Sequence, residues 1–222
     1  RNKGQMEAVT KQARAGEARI LIGTQMLAKG HHFPKVTLVA LLDIDQGLFS
    51  CDFRAAERMA QLVIQVAGRS GRAQKQGQVV IQTYHPDHPL LETLVTEGYD
   101  AFARQALEGR RLAELPPYSF QIMLRAESID PHSAWQFLLD IQSALYQQAE
   151  PAQVAQASLE ALGPVSAPML RKQGRFRYQL LLQANQRGIL HHWLGSLESR
   201  IYAHPLSQKV RWSIDVDPQE MA

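Results

Sequence analysis

Two hydrophobic periods alternate along this chain. Between Arg54 and Ala67 the apolar positions Met59, Leu62, Val63 and Val66 return at offsets of three and four, the spacing of one helix face. Val36–Ile44 is instead near-continuously apolar and β-branched, as expected of a strand covered on both faces. Arg19–Ile22 is a shorter apolar run that reads as a buried strand ended by Gly23. Thr24–Lys29 has room for one or two helical turns before Gly30, and Gly77–Tyr84 reads as a further strand. Strands alternating with helices predict a parallel sheet with crossover helices. Its first strands are absent, so this region is expected to begin inside a domain, with polar Arg1–Glu17 a remnant helix or loop. Pro86 and Pro89 bracket the start of one long helix, Leu90–Leu115, with the stripe Leu91, Leu94, Val95, Tyr99, Phe102, Ala106 and Leu107. Pro116-Pro117 stops it, because proline cannot continue a helix and restricts its predecessor. The domain junction is placed there, giving domains 1–115 and 116–222.

The second half follows a different order. Phe120–Ala126 reads as a strand. Asp130 stands where a helix cap is wanted, just before Pro131 at the favoured first helical position. Trp135, Leu138, Leu139, Ile141, Leu145 and Tyr146 give that helix its apolar side. Strands follow at Ser158–Leu162, with continuation past Pro164 left open, and at Phe176–Gln183. A helix over Ile189–Tyr202 and a strand over Lys209–Asp215 complete the chain. The order β-α-β-β-α-β is the split βαβ pattern of small two-layer domains. The fold class is therefore α/β: a parallel sheet with helices, then a two-layer domain.

Composition narrows the function. Of 222 residues, 45% are apolar and 20% charged, ordinary for a globular chain. No run of about eighteen apolar residues occurs, so no membrane span or membrane partner is expected. No signal peptide is visible, and the start at Arg1 rather than methionine reads as a fragment of a cytoplasmic protein. The single cysteine, Cys51, excludes an internal disulfide and a cysteine-rich zinc site, and has no activating partner. His31-His32 and His85/His88 lack an accompanying carboxylate or thiol cluster, so no metal site is assigned.

The net charge of +3 is too small to argue a partner, but its distribution is informative. Leu115–Glu160 holds Arg125 alone against five acidic residues, whereas Arg171–Arg211 holds eight basic residues against Glu198 alone. Phe176, Tyr178, Trp193 and Trp212 are interleaved. Cations that hold phosphates beside rings that stack bases make a single-stranded or branched DNA surface. Alternatively the rings are core and the arginines a solvated face. The balance favours core for at least half of the rings and DNA binding for Arg171, Lys172, Arg175 and Arg177.

One string carries candidate catalytic chemistry. Gln65-Val-Ala-Gly-Arg-Ser-Gly-Arg72 closes the first amphipathic helix. If the helical turn continues, Gln65, Arg69 and Arg72 share a face. Glycines thin the backbone for an approaching anion, and a guanidinium fork suits phosphate. By itself the string reads equally as a solvated basic helix end.

Together with Ile20-Leu-Ile-Gly-Thr-Gln-Met-Leu-Ala-Lys-Gly-His-His-Phe-Pro34, it resembles motifs VI and V of the second RecA-like lobe of superfamily 2 helicases. Lys29-Gly-His-His-Phe-Pro34, Leu42-Asp-Ile-Asp45 and Gln65–Arg72 are similar to the PriA family of primosomal helicases, which restart stalled replication forks. So are Leu115-Pro-Pro-Tyr-Ser119, Leu162-Gly-Pro-Val165, Gly174–Leu182 and Ile214-Asp-Val-Asp-Pro218. The resemblance implies an ATP-dependent DNA helicase that unwinds forks and initiates primosome assembly. Gly23 and Thr24 are then expected at the DNA backbone, Lys29 and Gly30 where nucleotide and DNA are coupled, Gln65 and Arg69 near the nucleotide, and Arg72 as the arginine finger. His32 departs from the acidic residue that many related helicases place near the ribose.

The sequence has no phosphate-cradling G-x-x-x-x-G-K-[ST] string and no Asp-Glu magnesium motif. Asp43 and Asp45 end a strand and are expected to cap the next turn. ATP and Mg²⁺ are thus expected to be shared with an upstream first lobe, where the family also carries its zinc insertion, and this piece alone is expected to be inactive. The resemblance further implies contact with the acidic tail of the single-strand-binding protein at Arg187, on a helix start, and with other primosome proteins. The rival reading is a non-catalytic nucleic-acid-binding and protein-docking piece.

Overall fold

The computed structural model describes residues 12, 15, 17, 20–24, 36–68, 78–148 and 158–221. It divides into two compact units, Arg1–Leu107 and Glu108–Ala222.

In the first unit, β1 (Leu38–Leu41) and β2 (Gln78–Ile81) pair in parallel, from Leu38 opposite Gln78 to Leu41 opposite Ile81. Between them in sequence lie α1 (Asp45–Leu48) and α2 (Ala55–Ala67). The helical period of α2 turns Met59, Ala60, Val63 and Val66 inward. Met59, Ala60 and Val63 pack with Ile44, Leu91, Leu94 and Phe102 in one core. Gly47 is fixed by this packing, since a Cβ there would stand 2.6 Å from that of Met59. Asp52, itself buried, binds the start of α2. It accepts from the Arg54 amide at 3.0 Å and from the Arg58 guanidinium at 2.5 Å.

Three expectations are corrected here. β1 is not covered on both faces: its residues alternate between exposed and half-buried, with Leu38 57% exposed, and among the described residues the apolar packing lies on the Leu41 side. The run ending at Ile22 is not a strand over its described residues. Ile20 and Ile22 are 80% and 92% exposed, and no described strand offers them a ladder. The long helix is two helices, α3 (Pro89–Thr96) and α4 (Tyr99–Leu112). Gly98, at φ +88°, turns the chain between them, a conformation that costs little only for glycine. His88 caps α3, its Nδ1 accepting from the Leu90 amide at 3.3 Å, and Pro89 stands at the first helical position.

The second unit is a four-stranded antiparallel sheet. Its elements run β3 (Phe120–Ser128), α5 (Pro131–Gln148), β4 (Glu160–Lys172), β5 (Arg175–Ala184), α6 (Arg187–Ala203) and β6 (Arg211–Val216), with spatial order β4-β5-β3-β6. The β-α-β-β-α-β order read from the sequence is the one observed. Alternation places Ile122, Leu124, Ala126, Leu180 and Leu182 against Phe137, Leu138, Leu190, Trp193 and Leu197 of the two helices. The opposite sheet face carries Arg125, Glu127, Arg177, Gln179, Arg211 and Ser213, aligned across strands. β4 does pass Pro164, which an edge strand tolerates because it need not donate there. Gly163, at φ +119°, admits no side chain, since a Cβ would stand 2.8 Å from the Gln179 carbonyl.

Asp130 caps α5 as its position predicts. Oδ2 accepts from the Ser133 amide at 2.9 Å and hydroxyl at 2.6 Å, and Oδ1 from the His132 amide at 3.3 Å. The Ser133 hydroxyl first, and the amides after it, hold this carboxyl below the ordinary aspartate range. A depressed native pKa stabilises the fold above the unfolded pKa and is lost as pH falls through the native one. Asp130→Ala should therefore lower the thermal midpoint at neutral pH, and the difference from the parent should shrink once both states are protonated. Unfolding scans from neutral pH to below the carboxylate range check this; a difference independent of pH contradicts it.

Candidate nucleic-acid interface

The basic cluster of the second half is a β-hairpin tip. The far half of β4 and the near half of β5 pair through Arg171 with Phe176 and Lys172 with Arg175, leaving Gln173-Gly174 as a two-residue turn. Both turn residues have positive φ, +50° and +79°, as a hairpin turn matched to strand twist requires. Below the tip, β4 runs five residues from Ser166 to Arg171 while β5 runs two from Tyr178 to Phe176, so β4 bulges outward.

Electrostatics make this tip unusual. Lys172 and Arg175 stand directly opposite each other, an arrangement that destabilises a bare hairpin. Among the described residues, none of Arg171, Lys172, Arg175 and Arg177 forms an ion pair. Arg171 instead lies 5.2 Å from the centroid of the Phe176 ring, and Arg177 donates to the Met169 carbonyl at 3.4 Å. Met169 and Leu170, 56% and 41% exposed, flank the cations with apolar surface. Among the described residues the tip thus carries positive charge that no carboxylate offsets.

The rings are mostly core. Trp193 is buried, and Tyr178 and Trp212 pack against the same cluster. Tyr178 meets Trp135 edge-on at 5.3 Å, and Trp212 stacks with Phe137 at 6.5 Å. Only Phe176 stays with the basic tip. The linear charge map also overstates the free cations. Arg211 lies 3.7 Å from Glu127, and Arg187 pairs with Asp217 at 2.8 Å, carboxylates that lie outside the basic stretch in sequence.

Arg187 is the first residue of α6, as its assignment to a helix start requires. Its guanidinium lies 5.0 Å from the Phe120 ring centroid and remains half exposed beside Asp217. An incoming carboxylate thus meets a guanidinium already holding one. Asp217 is a partner the sequence reading missed, because the pair joins positions thirty residues apart.

In the first unit, Gln65 occupies the last turn of α2, half-buried, and Gly23 and Thr24 are exposed without regular structure. Lys29, Gly30, Arg69 and Arg72 lie outside the described residues, as do His31 and His32. Asp45 does not cap the next turn. It accepts from the Thr83 hydroxyl and, at 2.9 Å, from the Tyr84 amide, tying the chain after β1 to the chain after β2. The Thr83 hydroxyl and then the Tyr84 amide hold its carboxyl below the ordinary range. Asp43 accepts instead from the Gln46 side chain at 2.7 Å. Among the described residues, no group of three or more His, Cys, Asp or Glu is placed to hold a metal, and no helix is long and apolar enough to cross a membrane.

Comparison with known proteins joins the two units. Residues 111–219 match the family described as Primosomal protein N C-terminal domain, and residues 1–74 match Helicase conserved C-terminal domain. The replication restart protein PriA of Haemophilus influenzae is 48% identical over 221 residues, 99% of this chain and 29% of that protein. The chain belongs to the PriA replication restart family.

Other PriA relatives agree. That of Bacillus subtilis is 36% identical over 220 residues, 99% of this chain and 26% of its own length. That of Synechocystis is 39% identical over 183 residues, 82% of this chain and 21% of its own length. The chain thus spans under a third of the PriA proteins it matches and corresponds to their C-terminal portion. The hairpin tip and Arg187 fall in the primosomal match, and Gln65 in the helicase match.

Proposed function

We propose that this PriA portion contributes the nucleotide-responsive second lobe and a DNA-binding domain to an ATP-dependent helicase that opens stalled forks and initiates primosome assembly in the bacterial cytoplasm. The observation that carries the DNA-binding part is the hairpin tip, where Arg171, Lys172, Arg175 and Arg177 gather without ion-pair partners among the described residues. The helicase part rests on family membership and on the Gln65–Arg72 string. The two functional domains meet at the Leu115–Pro116 junction. ATP and Mg²⁺ bind between this lobe and a first lobe upstream. Gln65, Arg69 and Arg72 face the phosphates, Lys29 and Gly30 couple nucleotide to DNA, and Gly23 and Thr24 contact the DNA backbone.

DNA binding is tested on the chain itself. Fluorescence anisotropy with single-stranded and forked oligonucleotides should give affinity that falls with salt, since binding cations release counterions. Arg175→Glu with Arg177→Glu should weaken binding for every DNA sequence and flatten the salt dependence. Unchanged affinity rejects the hairpin as the contact.

The partner at Arg187 is the acidic C-terminal tail of the single-strand-binding protein, whose carboxylate competes with Asp217 for the guanidinium. In calorimetric titrations, Arg187→Ala should weaken binding of a tail peptide about tenfold or more, as loss of a charge-assisted bond implies. Asp217→Asn, which removes the competitor, should strengthen it. Equal affinities across the three forms place the tail elsewhere.

In the full-length protein, Arg72→Ala should nearly abolish DNA-stimulated ATP hydrolysis, because an arginine finger is worth roughly 10³–10⁵ in turnover. Arg72→Lys should not restore it, an ammonium lacking the planar fork. DNA affinity should stay close to the parent's, and hydrolysis at the parent rate removes Arg72 from the active site.

A further inference from the structure

The sheet of the second unit carries a groove of about 340 Å³ on the face that bears Arg125, Glu127, Arg177, Gln179, Arg211 and Ser213. Two cross-strand rows make its floor. Arg177, Glu127 and Arg211 form one, and Gln179, Arg125 and Ser213 the other. Ala167, at the bulge of β4, lines its rim, and the Met169 carbonyl on the same bulge holds Arg177.

Partners within the groove are unevenly distributed. Arg125 is committed, to Asp215 at 2.8 Å and to the Glu220 carbonyl at 2.6 Å. Arg211 is only loosely held, 3.7 Å from Glu127 with 70% of its side chain exposed, and Arg177 has no carboxylate within ion-pair reach among the described residues. Gln179 is 5% exposed, yet its amide nitrogen has no hydrogen-bond partner. A buried donor in a native fold normally has a partner, and one without loses its water for no return. The groups with donors to spare are thus the Gln179 amide and the partly held guanidiniums of Arg177 and Arg211, two cations beside the one carboxylate that lines the groove, Glu127, a set that stays net positive and fits an oxyanion. Tyr178 and Trp212 also line the groove, but both pack against the core, Tyr178 edge-on to Trp135 and Trp212 stacked with Phe137, so the polar groups rather than free rings are what the groove presents.

We propose that this groove is a phosphate subsite for single-stranded nucleic acid. One backbone phosphate takes hydrogen bonds from the Gln179 amide and the Arg177 and Arg211 guanidiniums, and the strand continues along the hairpin tip, to which Arg177 belongs. The inference rests on the DNA-binding reading above and adds a place on the sheet face.

The test titrates the whole chain with fluorescein-labelled oligothymidylate at several salt concentrations. Gln179→Leu, similar in size, should weaken binding about tenfold with no change in salt dependence, since no charge is lost. Its thermal midpoint should hold or rise, because the substitution removes a desolvated group that has no partner. Arg211→Gln, at an exposed position, should weaken binding and lower the salt slope by about one. Parent affinity in both variants, with Lys172→Glu still weakening binding, overturns the subsite and leaves the hairpin reading standing. Loss of binding in Gln179→Leu together with a lower thermal midpoint, while Arg211→Gln binds as the parent, makes Gln179 structural and also overturns it. No binding by the parent chain overturns both. Weakened capture of a polyglutamate peptide with oligothymidylate affinity retained assigns the groove to an acidic protein partner and overturns it as well.

Discussion

The antiparallel ladder between β4 and β5 is the constraint on which the account of the second unit depends. It runs from Glu160 opposite Gln183 to Lys172 opposite Arg175, so one pairing spans the packed sheet and the exposed tip. At the packed end, alternation sends Leu180 and Leu182 into the core beneath α5 and α6. At the other end the same ladder sets Lys172 against Arg175, and among the described residues neither has an ion-pair partner. Backbone hydrogen bonds and the buried end hold in place a charge arrangement that the tip alone does not favour. A folded domain keeps such an arrangement at a cost in stability, and an anionic partner that releases its counterions recovers it.

Much of this was legible in the sequence, for identifiable reasons. The split βαβ order was readable because Asp130-Pro131 marks the start of α5 and because periods of two and of three to four change cleanly between the elements, whereas the Gln173-Gly174 turn and the extension of β4 to Lys172 were not read. The Arg171–Arg177 cluster was readable because a hairpin tip is local in sequence. What escaped was non-local. Arg187 meets Asp217, and Arg211 meets Glu127, across the chain, so a linear count of charges overstated the free positive surface. The rings did not escape: at least half were expected in the core, and Tyr178, Trp193 and Trp212 are sent there by the strand and helix periods. Gly98 was passed over because the stripe on either side of it matches a single helix, and only its positive φ reveals the break.

In the first unit the sequence reading reached further than the described structure. The parallel pairing of β1 with β2 and the burial of α2 follow from apolar pattern. The exposure of Leu38 and the unpaired Ile20–Thr24 follow from how little of a parallel sheet is described: a strand with one neighbour and one packed face cannot bury both of its sides. Asp45 shows how a motif position is used structurally. Its acidic string carries the family resemblance, and its carboxylate fastens the exits of β1 and β2 through Thr83 and Tyr84.

The central claim is that the second unit meets nucleic acid through the β4–β5 tip and the sheet face beside it. The most direct measurement is amide chemical-shift mapping by NMR on the isotope-labelled chain as single-stranded DNA is added. The account predicts that the shifts concentrate on residues 169–179 and on the adjoining positions of β3 and β6. Shifts confined to α5 and α6, with Arg171–Arg177 unmoved at saturating DNA, contradict it.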